Sequence, residues 1–257
     1  MISKVLPIYS LWSREIVRFY RQPSRVVGAL GSPLVFWLLI GSGVGSSFAG
    51  SSGGDYLQYF YPGTLFLILL FTAIFSTISL IQDRREGFLQ SVLVAPVSRL
   101  GLVTGKILGG ATLACSQGIL FLLFAPLMGI HQDLSGWLLV LAVLFLNSVA
   151  LTALGFVIAW RLHSIQGFHA VMNLLLIPLW LLSGALFPPE GSPAWIQIVM
   201  KLNPLRYGLA ALRTSLYDET AAAPPLGLCV IVTVVFGIAL MVFAAWVASR
   251  GRAEDVR

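Results

Sequence analysis

Residues 83–110 read DRREGFLQSVLVAPVSRLGLVTGKILGG and form a long polar interruption between two apolar stretches. Two arginines with an acidic residue on each side open the segment, and a glycine, a proline and further basic residues follow. The chain is apolar for the width of a membrane on both sides of it. A patterned segment of this kind suits a membrane protein that receives force or a signal from a soluble partner.

The composition indicates that most of the chain faces lipid. The 257 residues are 58% hydrophobic and only 10% charged, whereas soluble domains are about 25% charged. The net charge of +6 does not predict nucleic-acid binding, because the basic residues lie at the ends of apolar runs and not on one soluble face. Cys115 and Cys229 lie inside such runs without metal-ligand neighbours, so we interpret both as small core or lipid-facing residues.

Six apolar runs are each near or above the length of about 20 residues that crosses a bilayer as a helix. Lipid offers no partners for free backbone groups, so helices are expected throughout. The predicted fold class is an all-α polytopic membrane protein with six transmembrane helices. The predicted spans are 26–48, 57–81, 100–128, 137–160, 169–187 and 226–248.

The distribution of lysine and arginine predicts the orientation. Thirteen of the sixteen basic residues fall in the N-terminal segment, the second and fourth connections and the C-terminal tail. The other three, Lys201, Arg206 and Arg213, share the last outer loop. Both termini are therefore expected in the cytoplasm.

Three shorter helices are predicted in the N-terminal segment and the last outer loop. Residues 7–22 form an amphipathic pattern with Ile8, Trp12, Ile16 and Phe19 on one face and Arg14, Arg18 and Arg21 on the other. That pattern is typical of a helix in the membrane interface, with its cations toward anionic head groups. In the last outer loop, Ser192-Pro193 and Asn203-Pro204 are helix-start pairs and predict two short outer helices.

The segment GLVTGK at 101–106 is not a phosphate-binding loop. That motif needs four residues between its glycines and Ser or Thr after the lysine, whereas the spacing here is three and Ile107 follows. Gly101, Gly105 and Gly109 instead repeat at every fourth position, which predicts a face of the third span that allows close helix packing.

Other chemistry has little support in the sequence. No span has an ionisable residue near its centre, which disfavours transport driven by an ion gradient. Gln117, Asn147 and Asn173 are the strongest polar groups inside the spans, and interhelix hydrogen bonding is the favoured role for them. No metal-ligand pair, nucleophile elbow or acidic pair supports an intramembrane enzyme.

Residues 84–94 are predicted to form a short amphipathic cytoplasmic helix that Pro96 ends. Phe88, Leu89, Val92 and Leu93 form its apolar stripe, and Gly87, Gln90 and Ser91 lie opposite. The alternative is an ordinary basic loop that only fixes the topology.

Several stretches together resemble the bacterial type-2 ABC transporter permeases, the membrane subunits of exporters. They are SREIVRFYRQPSR at 13–25, YFYPGTL at 59–65, REGFLQSVLVAPVSRLGLVTGK at 85–106 and LLSGALFPPEGSPAWIQIVMKLNPLRYGLAALR at 181–213. The resemblance covers nearly the whole chain. It implies an interfacial helix in residues 1–25, a transmembrane domain in 26–251 and a cytoplasmic tail in 252–257.

The resemblance also implies the partners and the location. Two permease subunits would pair, most simply as a homodimer, two copies of a separate ATPase would dock on the cytoplasmic face, and membrane lipids would surround the spans. ATP and magnesium would be bound by the ATPase, and this chain would carry no cofactor. The expected location is the bacterial plasma (inner) membrane.

The favoured hypothesis is therefore the permease of an ATP-driven exporter for a drug, a lipid or a lipid-linked glycan. The alternative from another class is an ATP-independent channel or carrier. The residues predicted to couple to the ATPase are Asp83, Arg84, Arg85, Glu86, Gly87, Phe88 and Leu89. The residues predicted to line the substrate path, from their aromatic or polar character, are Phe36, Phe66, Phe71 and Asn147.

Overall fold

A computed structural model describes residues 2–48, 56–95, 97–217 and 224–250, and the regular elements in these ranges are all helical. The predicted tail at 252–257 lies outside the described residues. The helices are α1 (Ile2–Tyr20), α2 (Pro23–Phe48), α3 (Tyr56–Arg85), α4 (Phe88–Val94), α5 (Arg99–Leu122), α6 (Leu134–Arg161), α7 (Ile165–Val171), α8 (Ile177–Trp180), α9 (Ala194–Leu202), α10 (Pro204–Tyr217) and α11 (Leu226–Arg250). Short 3₁₀ turns lie at Ala125–Met128 and Pro189–Gly191.

Five of the six predicted spans coincide with segments that are long and apolar enough to cross a membrane. These segments are Tyr56–Arg85, Arg99–Leu122, Leu134–Arg161, Ile165–Ala185 and Leu226–Arg250. The first predicted span falls on α2, a helix of 26 residues whose apolar stretch is the shorter Leu30–Gly43. The chain is thus a polytopic helical membrane protein. That α2 also crosses the membrane, as a sixth span, stays a prediction.

Helix α3 forms the centre of the bundle. It packs against α2, α5 and α6, and every residue from Phe60 to Ile81 is buried except Phe71 and Phe75. These two rings stack in parallel, with 5.6 Å between their centroids and 7° between their planes. The edge of the His169 ring from α7 meets Phe75. Between Phe60 and Ile81 the central helix is therefore incompletely covered at one place, an aromatic window defined by Phe71, Phe75 and His169.

The segment between α7 and the outer loop is a helix with two irregular stretches. Met172–Leu176 and Leu181–Ala185 are wound as π-helix on either side of α8, and Gly184 has a φ of 90°. A non-glycine residue is strained in that conformation. Wide turns of this kind leave backbone carbonyls that need partners from elsewhere.

Side chains from α3 and α9–α10 supply those partners. The Tyr59 hydroxyl donates to the carbonyl of Gly184 at 3.0 Å, and the Asn203 amide donates to that of Leu179 at 2.6 Å. In return, the Trp180 indole donates to the Gly63 carbonyl at 3.0 Å. The stretches at 59–65 and 181–213, which carry the family resemblance, therefore meet at the end of the bundle opposite α1.

The two helices predicted in the loop after the fifth span begin within one residue of their predicted starts. Helix α9 follows Pro193, and α10 starts at Pro204. The leucine stripe of α10 is buried in the bundle, as expected; its members are Leu205, Leu209, Leu212 and Leu216. The apolar face of α9 differs, because Trp195, Ile198 and Leu202 are largely exposed.

Candidate functional site

Helix α1 packs lengthwise along α5 from Gly101 to Ser116. It begins at Ile2, so Pro7 lies inside it and does not start it. The two helices run in the same direction. Their contacts extend from Ile8 beside Gly101 and Gly105 to a 3.1 Å hydrogen bond between the hydroxyls of Tyr20 and Ser116. The face predicted to lie in lipid is thus turned toward protein, and Phe19 is buried against Leu113.

The three glycines of α5 form the surface that receives α1. A Cβ atom at Gly105 would lie 3.0 Å from the Ile8 carbonyl oxygen, and one at Gly109 would lie 2.8 Å from Cβ of Glu15. At Gly101 the nearest α1 atom is 3.6 Å away, on Ile8. At Gly105 and Gly109 the helices are therefore too close for a side chain on α5, whereas Gly101 has ordinary contact distance.

The close approach brings six ionisable side chains together, which we call the ionic cluster: Arg14, Glu15, Arg18, Asp83, Glu86 and Lys106. Asp83 is fully buried and is its hub. Arg14 binds both carboxylate oxygens of Asp83, at 2.9 and 2.8 Å. Arg18 adds a bond of 2.7 Å to Asp83 and another of 3.2 Å to Glu86.

Lys106 completes the cluster from α5. Its ammonium group contacts the carboxylates of both Glu15 and Asp83 and lies 3.4 Å from the Ser79 hydroxyl. The ammonium and both carboxylates are almost completely buried. Each charge therefore depends on the others, because an unpaired charge is costly away from water.

The predicted orientation of the α1 arginines is wrong for two of the three. Arg14 and Arg18 point into the ionic cluster and not toward lipid head groups, because Asp83 offers a buried carboxylate at closer range. Burial alone lowers the pKa of Arg14, but the hydrogen bonds to Asp83 and its charge outweigh that effect and raise the pKa. Arg21 alone stays exposed.

The predicted coupling segment is divided by a turn. Arg84 and Arg85 end α3, whereas α4 begins at Phe88, so a continuous helix over 84–94 is not formed. Gly87 makes the break possible with a φ of 76°, a conformation that costs other residues about 1–2 kcal/mol. Glu86, beside it, is more than half exposed.

The two arginines at the end of α3 bind the end of α6. Arg84 donates to the carbonyls of Trp160 at 2.8 Å and Leu162 at 3.0 Å. Arg85 donates to the carbonyl of His163 at 3.1 Å. The last carbonyls of a helix are unpaired and carry partial negative charge, so cations stabilise them.

Helix α4 is fastened to the bundle by its apolar stripe. Leu89 is buried, and the guanidinium of Arg14 lies 3.6 Å from the centroid of the Phe88 ring. On the opposite side Ser91 is exposed, and 88% of Val94 is accessible. Phe88 and Leu89 therefore face the bundle, and a partner can reach Ser91 and Val94.

The four residues predicted for the substrate path lie in different environments. Phe66 is buried beside α10, and a Cβ atom at Gly208 would lie 3.1 Å from its ring. Asn147 is also buried, where its amide donates to the carbonyls of Val143 at 2.9 Å and Gly208 at 3.2 Å. Phe36 lies on α2 against Phe60 and Trp180, and Phe71 belongs to the aromatic window.

Sequence reasoning missed the ionic cluster, although one signal pointed to it. Lys106 lies within the apolar run predicted as the third span, where a charge requires a partner. Its partners are remote in sequence, and Glu15 comes from the helix predicted to face lipid. Among the described residues no group of His, Cys, Asp and Glu could hold a metal ion.

These features define a multi-pass helical membrane protein with the buried ionic cluster at one end. The sequence model of the ABC-2 type transporter family matches residues 7–217. The chain therefore belongs to this family of ABC transporter membrane subunits, which confirms the resemblance seen in the sequence.

Three relatives illustrate the similarity. The chain is 28% identical to ycf38 of Cyanophora paradoxa, described as a transport permease, over 90% of this chain and 85% of that protein. It is 25% identical to the inner membrane transport permease YadH of Escherichia coli K12, over 79% and 80%. It is 24% identical to the daunorubicin resistance ABC transporter permease protein DrrB1 of Streptomyces coeruleorubidus, over 87% and 78%.

Proposed function

We propose that this chain is the membrane-spanning subunit of an ATP-driven exporter. Two copies form the pathway, and two copies of a separate ATPase bind at the end that holds α1 and α4, which faces the cytoplasm. ATP-driven closure of the ATPase pair moves α4, and the movement opens a path for an amphiphilic substrate.

The attachment of α4 is the observation that supports this proposal most directly. Arg14 contacts the Phe88 ring on α4 and also both oxygens of Asp83 on α3. Lys106 joins the same carboxylate to α5. A displacement of α4 therefore reaches Arg14 through the Phe88 ring, and the ion pairs pass it to α1, α3 and α5, which they join together.

The residues predicted to couple take separate roles in this proposal. Asp83, Phe88 and Leu89 hold α4 and the spans together, and Arg84 and Arg85 fix the end of α3 to α6. Gly87 allows the turn between them. The surface that meets the ATPase consists of Glu86, Ser91 and Val94.

The energy source must come from another chain in this proposal. A nucleotide-binding loop of the form GxxxxGK[ST] does not occur in the sequence, and the ATPase supplies that loop together with the magnesium site. ABC transporters divide the two tasks in this way, and membership of the family supports a permease role.

The aromatic window is the part of α3 best placed to meet a substrate. Phe71 and Phe75 are the only members of its central stretch that are not buried, and stacked rings offer a flat apolar surface. We extend the predicted path from Phe71 to Phe75 and His169. Such a surface suits a drug, a lipid or a lipid-linked glycan, and one relative is named for daunorubicin resistance.

The test compares two exposed apolar residues at opposite ends of the bundle. In membranes that contain the affinity-tagged chain and its ATPase, Val94→Glu should reduce co-purified ATPase and substrate-stimulated ATP hydrolysis at least about tenfold, a loss of about 1.4 kcal/mol in binding. The reason is that a charge enters an apolar contact. Leu134→Glu is the matched control, because Leu134 is 78% exposed and begins α6, where an acidic residue is tolerated.

Normal ATPase binding and transport by Val94→Glu would remove α4 from the coupling role. Substrate flux into liposomes from the purified chain alone, without ATP, would instead support the channel or carrier hypothesis.

A further inference from the structure

An open groove lies beside the ionic cluster, between the last turns of α1 and the turn that joins α3 to α4. Its volume is about 430 Å³, and its lining residues are Arg14, Val17, Arg18, Arg21, Gln22 and Glu86. Small-molecule sites commonly have volumes of about 300–1,000 Å³, so the groove has room for a polar head group.

The three arginines of the groove are not equivalent. Both terminal nitrogens of Arg14 bind Asp83, and those of Arg18 bind Asp83 and Glu86. The Arg21 side chain is exposed and forms no ion pair with a carboxylate in the described ranges. The groove therefore presents one free guanidinium beside two that are held rigidly.

The charges of the groove and the ionic cluster do not balance. The cations are Arg14, Arg18, Arg21 and Lys106, and the carboxylates are Glu15, Asp83 and Glu86. One positive charge remains, and a single monoanion would neutralise it. Arginine binds phosphate through paired N–H donors, so phosphate is a suitable partner.

The position of the groove favours a lipid as the source of that phosphate. Arg21 and Gln22 directly precede α2, the helix whose apolar stretch Leu30–Gly43 is expected in the bilayer. Val17 and Tyr20 beside them are 46% and 49% exposed. An anionic head group can therefore enter the groove while its acyl chains cover these apolar side chains, as at other interfacial helices.

We propose that this groove binds the phosphate head group of an anionic membrane lipid, with Arg21 as its principal ligand. The lipid neutralises the positive charge that Arg21 adds beside the ionic cluster. It also ties the end of α1 to the turn before α4.

A binding measurement on the purified chain in neutral detergent tests this proposal. Short-chain phosphatidylglycerol should raise the thermal unfolding temperature and appear as a bound lipid in native mass spectrometry, because a ligand that binds the folded state stabilises it. Phosphatidylcholine of the same chain length and glycerol phosphate should do neither at equal concentration. Phosphatidylcholine tests whether any lipid of this chain length would bind, and glycerol phosphate tests whether a phosphate group without acyl chains is sufficient.

Two substitutions locate the site. Arg21→Gln should weaken the apparent affinity for phosphatidylglycerol about tenfold, the effect of losing about 1.4 kcal/mol. Gln22→Glu should weaken it similarly by repulsion while Arg21 is kept. Arg161→Gln is the matched control, since Arg161 is an exposed arginine at the end of α6 outside the groove.

Unchanged phosphatidylglycerol binding by both groove variants would overturn the proposed site. Equal binding of glycerol phosphate and phosphatidylglycerol would overturn the lipid as its occupant. No ATPase takes part in the measurement, so either result leaves the coupling role of α4 to its own test.

Discussion

Lys106 is a buried charged side chain in a mainly apolar helix. It is stable there because two carboxylates from different helices, those of Glu15 and Asp83, contact its ammonium group. A buried ion pair gains little over apolar residues of similar size, but removal of one member leaves a buried charge without a partner. The contribution of Lys106 should therefore appear mainly when it alone is removed.

Lys106→Met should destabilise the folded chain by about 3–5 kcal/mol, the usual cost of breaking a buried ion pair. The three carboxylates of the ionic cluster, Glu15, Asp83 and Glu86, would then face only the two cations of Arg14 and Arg18. Equilibrium unfolding of the purified chain in mixed micelles measures the loss.

The double variant Glu15→Gln with Lys106→Met restores the balance of charges, so it should recover part of that stability. Arg99→Gln, at the start of the same helix, should be close to neutral. A Lys106→Met chain as stable as the parent would show that the ammonium group does not hold the helices together.

Contacts between residues that are far apart in the sequence could not be predicted from the sequence alone. Asp83 and its partners Arg14 and Arg18 are separated by 69 and 65 positions, and a pattern along one helix does not show what another helix brings to it. The same limit applies to Phe66 and Phe71. Both lie in a helix that is apolar on all sides, so only the packing decides that Phe66 is buried and Phe71 is at the surface.

The contact between α1 and α5 depends on the absence of side chains along one face of α5. Gly109→Ala places a methyl group 2.8 Å from Cβ of Glu15, so α1 must shift and Glu15 must move relative to Lys106. The substitution should lower stability by about 1–3 kcal/mol, as overpacking does. It should also increase hydrogen exchange in α1, which mass spectrometry can follow.

Gly28→Ala provides the control within another helix. No atom lies within 4 Å of a Cβ at Gly28, so the substitution should raise stability by up to about 1 kcal/mol through helix propensity. Opposite signs for the two glycines would establish that steric contact is responsible. A loss at both positions would contradict the packing explanation.

The start of a helix could be predicted where the sequence has a local signal for it. Pro193 and Pro204 mark the starts of α9 and α10, because proline fits the first turn of a helix and little else. The start of α4 had no such signal. Gly87 could have continued the helix from Arg85, but it is left-handed in the structure, directly after two arginines that bind the end of α6.

The whole molecule has two chemically different ends. Most of the described arginines lie with α1 and α4, whereas at the opposite end hydroxyl, amide and indole groups and the single guanidinium of Arg213 donate to backbone carbonyls. Basic residues are retained on the cytoplasmic side of a membrane. We therefore expect Ser91 to face the cytoplasm and Ala194 to face outward.

Cysteine labelling in intact cells tests this topology. In a chain with Cys115→Ala and Cys229→Ala, a membrane-impermeant maleimide should label Ala194→Cys directly. It should label Ser91→Cys, Ser10→Cys and Ser249→Cys only after the cells are permeabilised. All four positions are exposed.

The pair Ser10→Cys and Ser249→Cys tests the first span. Six crossings place both on the same side, whereas five would place α1 and the end of α11 on opposite sides. Labelling of only one of them in intact cells would contradict the crossing of α2.

The ionic cluster also imposes an order on biosynthesis. The ribosome delivers Arg14, Glu15 and Arg18 first, then Asp83 and Glu86, and Lys106 last. Until α5 emerges, the acidic pair Glu15 and Asp83 lacks the ammonium group that lies between them in the folded chain. The docking of α1 can therefore become stable only after the third predicted span has left the ribosome. Until then α1 and the first two predicted spans lack one of the contacts that hold them together in the folded chain.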